Sequence, residues 1–215
     1  MEIINPDKKI AVFDYDESSR TEELAFLTQG LDHLFALPEV QNVENVPDAS
    51  GARALSTVHL SDRLNLVNFL QLKTMPIGHW LFNSISQAAS QFGLGKTRNI
   101  RQFKFHRTWA NRIEQGCNTI AHRHAQKDWA APHVVAILYV ECAPGSADLV
   151  FVDDDSNVMR AEHISHYNAK LCTKIASKAA RLVVHDATYL HGTTEHALDQ
   201  TRSCIIFEVG FPPLT

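Results

Sequence analysis

The sequence predicts a mainly β fold with flanking helices, in which an antiparallel sandwich or small barrel forms the C-terminal half. Two observations support this prediction. After residue 96, short β-branched and aromatic runs alternate with polar residues and are separated by turn sequences such as APGSAD. Before that point, apolar residues recur at helical spacing. We therefore expect one domain over 1–215, in which a helical N-terminal buttress over 1–96 supports a β core over 97–215.

The N-terminal part is predicted to contain one strand and two helices. KKIAVFDYD is a strand candidate, and the capping-box sequence SRTE precedes leucines at helical spacing. A second helical pattern runs over 77–92 and is followed by glycines, which commonly end a helix. Residues 38–62 mix Pro, Gly, Asn and Asp, so we predict connections there, while 64–72 fits either a short helix or a strand.

Five segments of the C-terminal part alternate apolar and polar residues, as strands with one buried face do. They are IRQFKFHRTWANRI, VVAILYVE, ADLVFVDDD, ARLVVHD and SCIIFEVGF. His185 and Asp186 end the fourth segment, and we expect these two residues to cap the turn that follows.

The composition argues against several classes of function. The net charge of -4 and the pI near 6.3 argue against binding to nucleic acid or to an anionic membrane surface. The four cysteines form no C-x-x-C pair, which excludes a zinc ribbon, and a chain of 215 residues needs no disulfide framework. The sequence starts without a signal-peptide pattern, and its longest uncharged segment is too short to span a bilayer. We therefore expect a cytoplasmic protein.

Two histidines stand one residue apart, just before a run that is predicted to be a buried strand. Side chains of an extended segment alternate between its two faces, so His122 and His124 point the same way. Two aligned imidazoles can bind one metal ion, or they can lie on a solvated face of a strand. His191 is a candidate for a third ligand from a distant part of the chain.

Arg202 opens the last predicted strand. By alternation it shares a face with Cys204, while Ser203 lies on the opposite face. An inward-facing arginine offers a planar fork that can bind a carboxylate with two hydrogen bonds. The simpler alternative is an ion pair between Arg202 and Glu208 or Asp199 at the edge of the strand.

The order of these residues resembles the 2-oxoglutarate- and iron(II)-dependent oxygenases. It is especially similar to a branch with the signature W-x-N, G, H-x-H, Y, G-x-L-x-F, H and R-x-S. The resemblance covers roughly the last hundred and ten residues of the chain. The residues that carry it are Trp109, Asn111, Gly116, His122, His124, Tyr139, the ADLVF segment, His191, Arg202 and Ser203.

The resemblance implies a double-stranded β-helix, or jelly roll, that binds iron(II), takes 2-oxoglutarate as cosubstrate and activates dioxygen. The reaction would oxidise a C–H bond and release succinate and carbon dioxide, most commonly with hydroxylation and otherwise with desaturation or ring formation. The implied site residues are, for the metal, His122, His124 and His191; for 2-oxoglutarate, Arg202, Tyr139 and Ser203; and for the substrate, Trp109 and Asn111.

The chain departs from the family pattern in its metal motif, because H-R-H stands where H-x-D is usual. Three ligand sets are open: all three histidines, a set that includes Asp128, and a set in which only one of the two close histidines binds. We favour the all-histidine set, because alternation aligns both rings whereas Asp128 would need a tight loop. Ala125 and Ala180 stand where the branch usually has a proline and a glycine, which leaves the conformation of two loops open.

Two other functions fit parts of the pattern. GCNTIAHRH has the spacing of the first cupin motif, and Asp128 lies near the expected glutamate, which would give a metal-dependent dioxygenase or isomerase without 2-oxoglutarate. The missing glycine of the second cupin motif and the presence of Arg202 count against it. The third possibility is a β-sandwich binding module without catalysis.

We expect the substrate to be a small molecule, such as an amino acid or a biosynthetic intermediate. The N-terminal part is short and has no evident appendage for docking a protein. The sequence contains no signal for one particular substrate or for an oligomeric state.

Overall fold

The structure is a computed structural model, and it describes residues 2–5, 8–16, 20–43, 49–50, 54–126, 130–152 and 172–214. Among these residues, the helices lie before residue 97, and most of the β-strands lie after it. The predicted class, mainly β with flanking helices, is confirmed.

The helical elements follow the apolar spacing of the sequence. They are α1 (Arg20–Phe35), α2 (Pro38–Gln41), α3 (Leu66–Phe69), α4 (Pro76–Gln91) and two 3-10 turns, Val58–Leu60 and Leu94–Lys96. Pro76 occupies the first turn of α4, where its missing N–H costs nothing. Gly93 follows this helix with φ 78°, a left-handed conformation that favours glycine. The segment 64–72 is therefore helical at its centre, and α2 lies where we predicted only connections.

The strands of the described ranges form one large and two smaller antiparallel sheets. They are β1 (Glu2–Asn5), β2 (Ile10–Asp14), β3 (Ala49–Ser50), β4 (Ala54–Ser56), β5 (Lys104–Ile113), β6 (Asn118–Thr119), β7 (Val134–Glu141), β8 (Leu149–Val152), β9 (Cys172–Ile175), β10 (Arg181–Asp186), β11 (His191–Thr193) and β12 (Arg202–Gly210). The large sheet has the order β1-β2-β10-β7-β12-β5-β4, a second has the order β11-β8-β9, and β3 pairs with β6.

The large sheet takes strands from both sides of residue 97. β2, the KKIAVFDYD strand, pairs with β10, and β4 pairs with β5. The N-terminal part therefore contributes β1 and β2 at one side of the sheet and β4 at the other, in addition to its helices.

The two faces of the large sheet bury different sets of side chains. One face of β7 and β12, which includes Leu138 and Phe207, packs with the leucines of α1 and α4 in the main apolar core. The opposite face, which includes Ile137 and Ile206, packs towards Leu149 on β8. Both faces are covered, so every residue of β12 is buried. The space between the sheets is where the polar residues of the candidate site lie.

Backbone hydrogen bonds fix both loops at which the chain departs from the family pattern. Ala180 has φ 63°, the left-handed conformation for which glycine is the usual residue. Its N–H donates to the carbonyl of Tyr139 (2.9 Å), and its carbonyl accepts from the N–H of Tyr15 (2.9 Å). Ala125 is buried, and its N–H donates to the carbonyl of Ala187 (3.0 Å). The loops hold these conformations without the proline and the glycine.

Among the helices that the structure describes, none is both long and apolar enough to cross a membrane.

Candidate metal centre

The segment that carries His122 and His124 pairs with the start of β11. The N–H of His122 donates to the carbonyl of His191 (2.9 Å), and the N–H of His191 donates back to the carbonyl of His122 (3.1 Å). The N–H of His124 donates to the carbonyl of Ala187 (3.1 Å). This short antiparallel bridge brings two histidines from one segment beside a third that lies almost seventy residues further along the chain.

The three histidines converge with donor atoms close enough to share a metal ion. One ring nitrogen from each of His122, His124 and His191 lies within 4.8 Å of the others. The Nε2 atoms of His122 and His124 are 3.2 Å apart. Bonds of about 2.1 Å at right angles would place two adjacent ligands about 3 Å apart, which matches this separation. The donor set therefore fits a metal that is held on one face.

Each of the three rings has its other nitrogen bound to an oxygen. The Nδ1 atom of His122 lies 2.8 Å from the carbonyl oxygen of Ile120, and that of His191 lies 3.0 Å from the carbonyl oxygen of Tyr189. The Nδ1 atom of His124 lies 2.9 Å from Oε1 of Glu208. A proton on each Nδ1 satisfies these acceptors and leaves the lone pair of Nε2 for a metal.

Glu208 is a buried carboxylate that joins His124 to Arg107. It is 2% exposed, and Arg107 donates to both of its oxygens, with 2.7 Å between Nε and Oε2. Burial raises the pKa of the Glu208 carboxyl, but the hydrogen bonds from His124 and Arg107 outweigh it and hold the pKa below its ordinary value. The carboxylate is therefore ionised at neutral pH and orients the His124 ring.

The buried His191 imidazole is held in its neutral form. Burial lowers the pKa of His191 well below its ordinary value, and the neighbouring His185, His122 and His124 lower it further. Metal ions bind neutral imidazole, so this environment keeps the ligand ready at neutral pH.

His185 is a fourth imidazole beside the three. Its ring centroid lies 4.4 Å from that of His191 and 5.0 Å from that of Phe151. Its Nδ1 atom contacts the carbonyl of Asp186 (2.8 Å), and its buried Nε2 has no hydrogen-bond partner in the described part of the chain. Burial, followed by the charge of His124, lowers the pKa of His185 to about 3. We predicted a turn cap at this position, but only Asp186 is one: its Oδ1 accepts from the N–H of Thr188 (3.0 Å).

A cavity that is partly continuous with solvent lies against the three histidines. Arg202 faces this cavity from the start of β12 and is only 3% exposed. We call it the arginine cavity. Its lining comprises Trp109, Asn111, Thr119, His122, His124, Ile137, Leu149, His191, Gly192, Thr193, Arg202, Cys204 and Ile206.

Arg202 is a buried cation without a carboxylate partner among the described residues. Its Nε donates to the hydroxyl of Ser177 (3.1 Å), and its guanidinium carbon lies 4.7 Å from the ring centroid of Tyr139. Burial alone would lower the pKa of the Arg202 guanidinium. The nearby Tyr139 hydroxyl and Cys204 thiol outweigh this effect, so the pKa lies above its ordinary value. The structure gives Arg202 no ion pair with Glu208 or Asp199, the two partners of the ion-pair alternative, and Glu208 is bound to His124 and Arg107 instead.

Tyr139 lies beneath Arg202 and is fully buried. Its hydroxyl makes no well-formed hydrogen bond to the residues the structure describes, although Ser177 and Arg202 lie close to it. Burial raises the pKa of this hydroxyl, so it keeps its proton. It supports the guanidinium and is not part of the cavity surface.

Ser203 lies on the opposite face of β12 from Arg202, as alternation predicts. Its hydroxyl donates to Oε2 of Glu141 (2.6 Å) and accepts from Nε of Arg112 (2.9 Å). Its side chain is therefore engaged under α1, away from the arginine cavity.

Trp109 and Asn111 both line the arginine cavity. The Trp109 ring lies 5.5 Å from the ring of His124, and Oδ1 of Asn111 accepts from the hydroxyl of Ser56 (2.7 Å). Asp128, the alternative ligand, lies outside the described residues.

A family model described as "Putative 2OG-Fe(II) oxygenase" matches residues 107–208 of the chain. The matched segment contains all three histidines, Arg202 and Glu208. A search of curated proteins finds no significant match.

Solved structures with the same fold cover nearly the whole chain. EvdO2 from Micromonospora carbonacea var. aurantiaca, complexed with 2-oxoglutarate, gives a TM-score of 0.64 at 14% identity, with 96% of this chain and 88% of that chain covered. A prolyl-4-hydroxylase from Pseudomonas putida gives 0.56 at 11% identity, covering 97% and 94%. HygX from Streptomyces hygroscopicus, with nickel, 2-oxoglutarate and hygromycin B bound, gives 0.55 at 12% identity, covering 95% and 83%.

At these identities the solved structures show the fold, and the predicted jelly-roll core is confirmed. The family match adds a likeness in sequence over the segment that carries the histidines. The resemblance of this chain to the 2-oxoglutarate- and iron(II)-dependent oxygenases is therefore confirmed, in sequence over its β core and in fold over nearly its whole length.

Proposed function

We propose that the protein is a 2-oxoglutarate-dependent non-haem iron(II) oxygenase that oxidises a small molecule. Hydroxylation is the commonest outcome of this class of reaction. The observation that carries this proposal is the buried cation Arg202, which faces the same cavity as the three histidines. A buried charge without a carboxylate partner is costly unless a ligand supplies the opposite charge. 2-Oxoglutarate has a second carboxylate that can lie away from the metal and meet this guanidinium.

Each group of the site has a distinct part in this proposal. His122, His124 and His191 hold iron(II) through their Nε2 atoms, and Glu208 orients the His124 ring. Arg202 binds the distal carboxylate of 2-oxoglutarate with a bidentate fork, and Tyr139 supports the guanidinium from below. Ser203 is left out of this set, because its hydroxyl is bonded to Glu141 and Arg112 on the other face of the sheet.

The three histidines would hold iron(II), which would supply the activation of dioxygen. One oxygen atom enters succinate as 2-oxoglutarate loses carbon dioxide, and the other enters the C–H bond of the substrate as a hydroxyl group. The protein holds the cosubstrate in a partly enclosed cavity, where apolar residues such as Ile137 and Leu149 limit the access of water.

The arrangement of Arg202 favours this function over a cupin that acts without 2-oxoglutarate, because nothing in that chemistry needs a buried cation beside the metal. A binding module without catalysis would not need three imidazoles with their Nδ1 atoms fixed by oxygens.

The test is a direct assay on the purified protein. With iron(II), ascorbate and dioxygen, we expect slow conversion of 2-oxoglutarate to succinate even without a substrate, and one metal ion bound per chain. A cupin would bind the metal but not 2-oxoglutarate, and a binding module would bind neither tightly. Absence of both succinate formation and 2-oxoglutarate binding in metal-loaded protein would overturn the proposal.

A further inference from the structure

Charge is distributed unevenly along the chain. Residues 63–113 contain eight lysines and arginines and no aspartate or glutamate. The rest of the chain has twelve lysines and arginines against twenty-four acidic residues, so it carries all of the net negative charge. None of the eight cations lines the arginine cavity, and only Arg107 reaches the metal site, through its ion pair with Glu208. We call residues 63–113 the acid-free stretch.

Most cations of the acid-free stretch have no counter-charge in the part of the chain that the structure describes. Arg107 and Arg112 form ion pairs. The other six form none with any described residue, and they are Arg63, Lys73, Lys96, Arg98, Arg101 and Lys104. Elsewhere in the chain Lys9, Lys178 and Arg181 each pair with an aspartate. Unpaired positive charge is therefore concentrated in this stretch.

Three of the unpaired cations line one open cleft, which we call the Lys96 cleft. They are Lys96, Arg98 and Arg101, and none of the described residues that line this cleft is acidic. The Lys96 cleft shares no lining residue with the arginine cavity. A cleft with one sign of charge attracts ligands of the opposite sign and raises their local concentration. The Lys96 cleft therefore favours an anionic ligand at a place separate from the metal site.

Backbone hydrogen bonds fix the wall of the Lys96 cleft on both sides of Arg98. The N–H of Asn99 donates to the carbonyl of Pro212 (2.9 Å), and the N–H of Leu214 donates to the carbonyl of Thr97 (3.2 Å). The backbone that carries the cations is thus ordered before a ligand arrives. This order lowers the entropy that is lost on binding.

The Lys96 cleft combines its cations with an exposed apolar side chain. Leu214 is 53% exposed, more than any other large apolar side chain in the described ranges. A peptide supplies both carboxylates and apolar side chains, and the planar fork of an arginine suits a carboxylate. Single-stranded nucleic acid binds by stacking on aromatic rings as well as by charge, and no aromatic ring is among the described lining residues. The mixture therefore fits an acidic peptide better than a nucleic acid.

We propose that the Lys96 cleft binds an acidic segment of a partner protein, with its carboxylates on Lys96, Arg98 and Arg101 and an apolar side chain on Leu214. The partner is defined by this chemistry, as a segment that carries several aspartates or glutamates beside an apolar residue. The cleft lies outside the arginine cavity, so this inference does not depend on the proposed function.

The experiment measures the binding of labelled peptides to the full chain by fluorescence anisotropy at low salt. The acidic probe is a short peptide of glutamates and leucines. A second peptide has glutamine in place of each glutamate, and a third has serine in place of each leucine. Oligothymidylate and vesicles of phosphatidylserine represent the other anionic partners, a nucleic acid and a membrane surface. The readout is binding, so it holds whether or not the protein turns over 2-oxoglutarate.

Two double variants remove the same charge from two different places. Arg98→Gln with Arg101→Gln removes both arginines of the Lys96 cleft. Arg63→Gln with Lys73→Gln removes two unpaired cations from another part of the acid-free stretch and is the matched control. Leu214→Ser removes the apolar part of the cleft. The melting temperature of each variant checks that it folds.

We expect the acidic probe to bind at least about tenfold more tightly than its glutamine counterpart, as three surface charge pairs together imply. The Arg98 and Arg101 variant should weaken this binding about three- to tenfold, and the control by less than about twofold. Added salt should weaken it further. Leu214→Ser should weaken binding of the leucine peptide about threefold and leave that of the serine peptide unchanged.

Equal binding of the glutamate and glutamine peptides, or binding of neither, would overturn the inference. Equal losses in the two double variants would assign the effect to the general field of the acid-free stretch and would also overturn it. Tighter binding of oligothymidylate or of the vesicles than of the acidic peptide would show that the partner is not an acidic protein segment.

Discussion

The Nδ1 atom of His124 donates a hydrogen bond of 2.9 Å to Oε1 of Glu208, a buried carboxylate on β12. His124 stands where the family that this chain resembles usually has an aspartate. The carboxylate therefore lies one imidazole further from the candidate metal position than usual, and under the proposed function it would act on the metal through His124. Arg107 shares this carboxylate, so its negative charge is divided between the two partners.

Replacement of this carboxylate should weaken metal binding without removing a ligand. Glu208→Gln keeps the size of the side chain and a carbonyl for His124, but it loses the charge that strengthens the imidazole as a donor. Partners of this kind typically contribute 10- to 100-fold in metal affinity, so we expect a loss of about that size. The measurement is a nickel(II) titration by calorimetry.

The matched control for this prediction is Glu195→Gln, which removes an exposed carboxylate just after β11 and should leave the nickel affinity unchanged. Equal affinities of Glu208→Gln and the unaltered protein would show that the hydrogen bond only orients the ring in the metal-free state.

The ligand set can be tested by comparing His124 with Asp128. Three imidazole donors already fit one metal ion, so Asp128→Asn should bind nickel(II) as the unaltered protein does. His124→Ala removes a donor and should lower the affinity by more than about 100-fold, beyond the effect of losing an outer partner. The reverse order of effects, measured by the same titration, would assign the third ligand to Asp128.

Side-chain alternation in strands predicted a large part of the site from the sequence. It placed His122 and His124 on one side, and it turned Arg202 towards the cavity and Ser203 away from it. The same rule also puts Glu208 on the face of Arg202, six residues along β12, but no feature of the sequence marks it as the partner of His124.

The rest of the site depends on contacts between distant segments. His124 and Glu208 are 84 residues apart, and their meeting requires the bridge between the H-R-H segment and β11. The burial of His185 likewise follows from pairing of β10 between β2 and β7, which covers a strand end that looks like an exposed turn in the sequence. Local patterns carry no information on such pairings, because register is set by the packing of whole sheets.

The role of Arg202 should appear as a selective loss of 2-oxoglutarate binding. A charge-assisted hydrogen bond contributes about 1.5–3 kcal/mol, so Arg202→Gln should weaken the affinity for 2-oxoglutarate by at least about tenfold. Arg202→Lys should recover only part of this loss, because an ammonium group lacks the planar fork. Calorimetric titration of 2-oxoglutarate into nickel-loaded protein measures both effects.

The stability of the metal-free protein provides the control for Arg202. No described carboxylate pairs with Arg202, so Arg202→Gln breaks no ion pair among the described residues, and the melting temperature of the metal-free protein should fall little. Metal affinity should also be unchanged. If 2-oxoglutarate binds the Arg202→Gln variant as well as the unaltered protein, the carboxylate does not meet this guanidinium.

His185 should make the metal-free protein sensitive to acid. Its pKa is about 3 in the folded protein, against an ordinary value near 6.5, so as the pH falls below 6.5 the unfolded chain takes up a proton that the folded chain does not. The contribution of the neutral His185 imidazole to the free energy of unfolding is therefore fully present above pH 6.5, and it is lost as the pH falls towards 3. Between pH 7 and pH 5, one such group lowers the free energy of unfolding by about 2 kcal/mol.

His185→Phe keeps a planar ring and cannot be protonated. The free energy of unfolding of this variant, measured in urea, should therefore fall by about 2 kcal/mol less over this pH range. His33→Phe, at an exposed position near the end of α1, is the control and should retain the full loss. Parallel pH profiles of the unaltered protein and His185→Phe would show that this imidazole is protonated in the folded state, and that the space around it admits water.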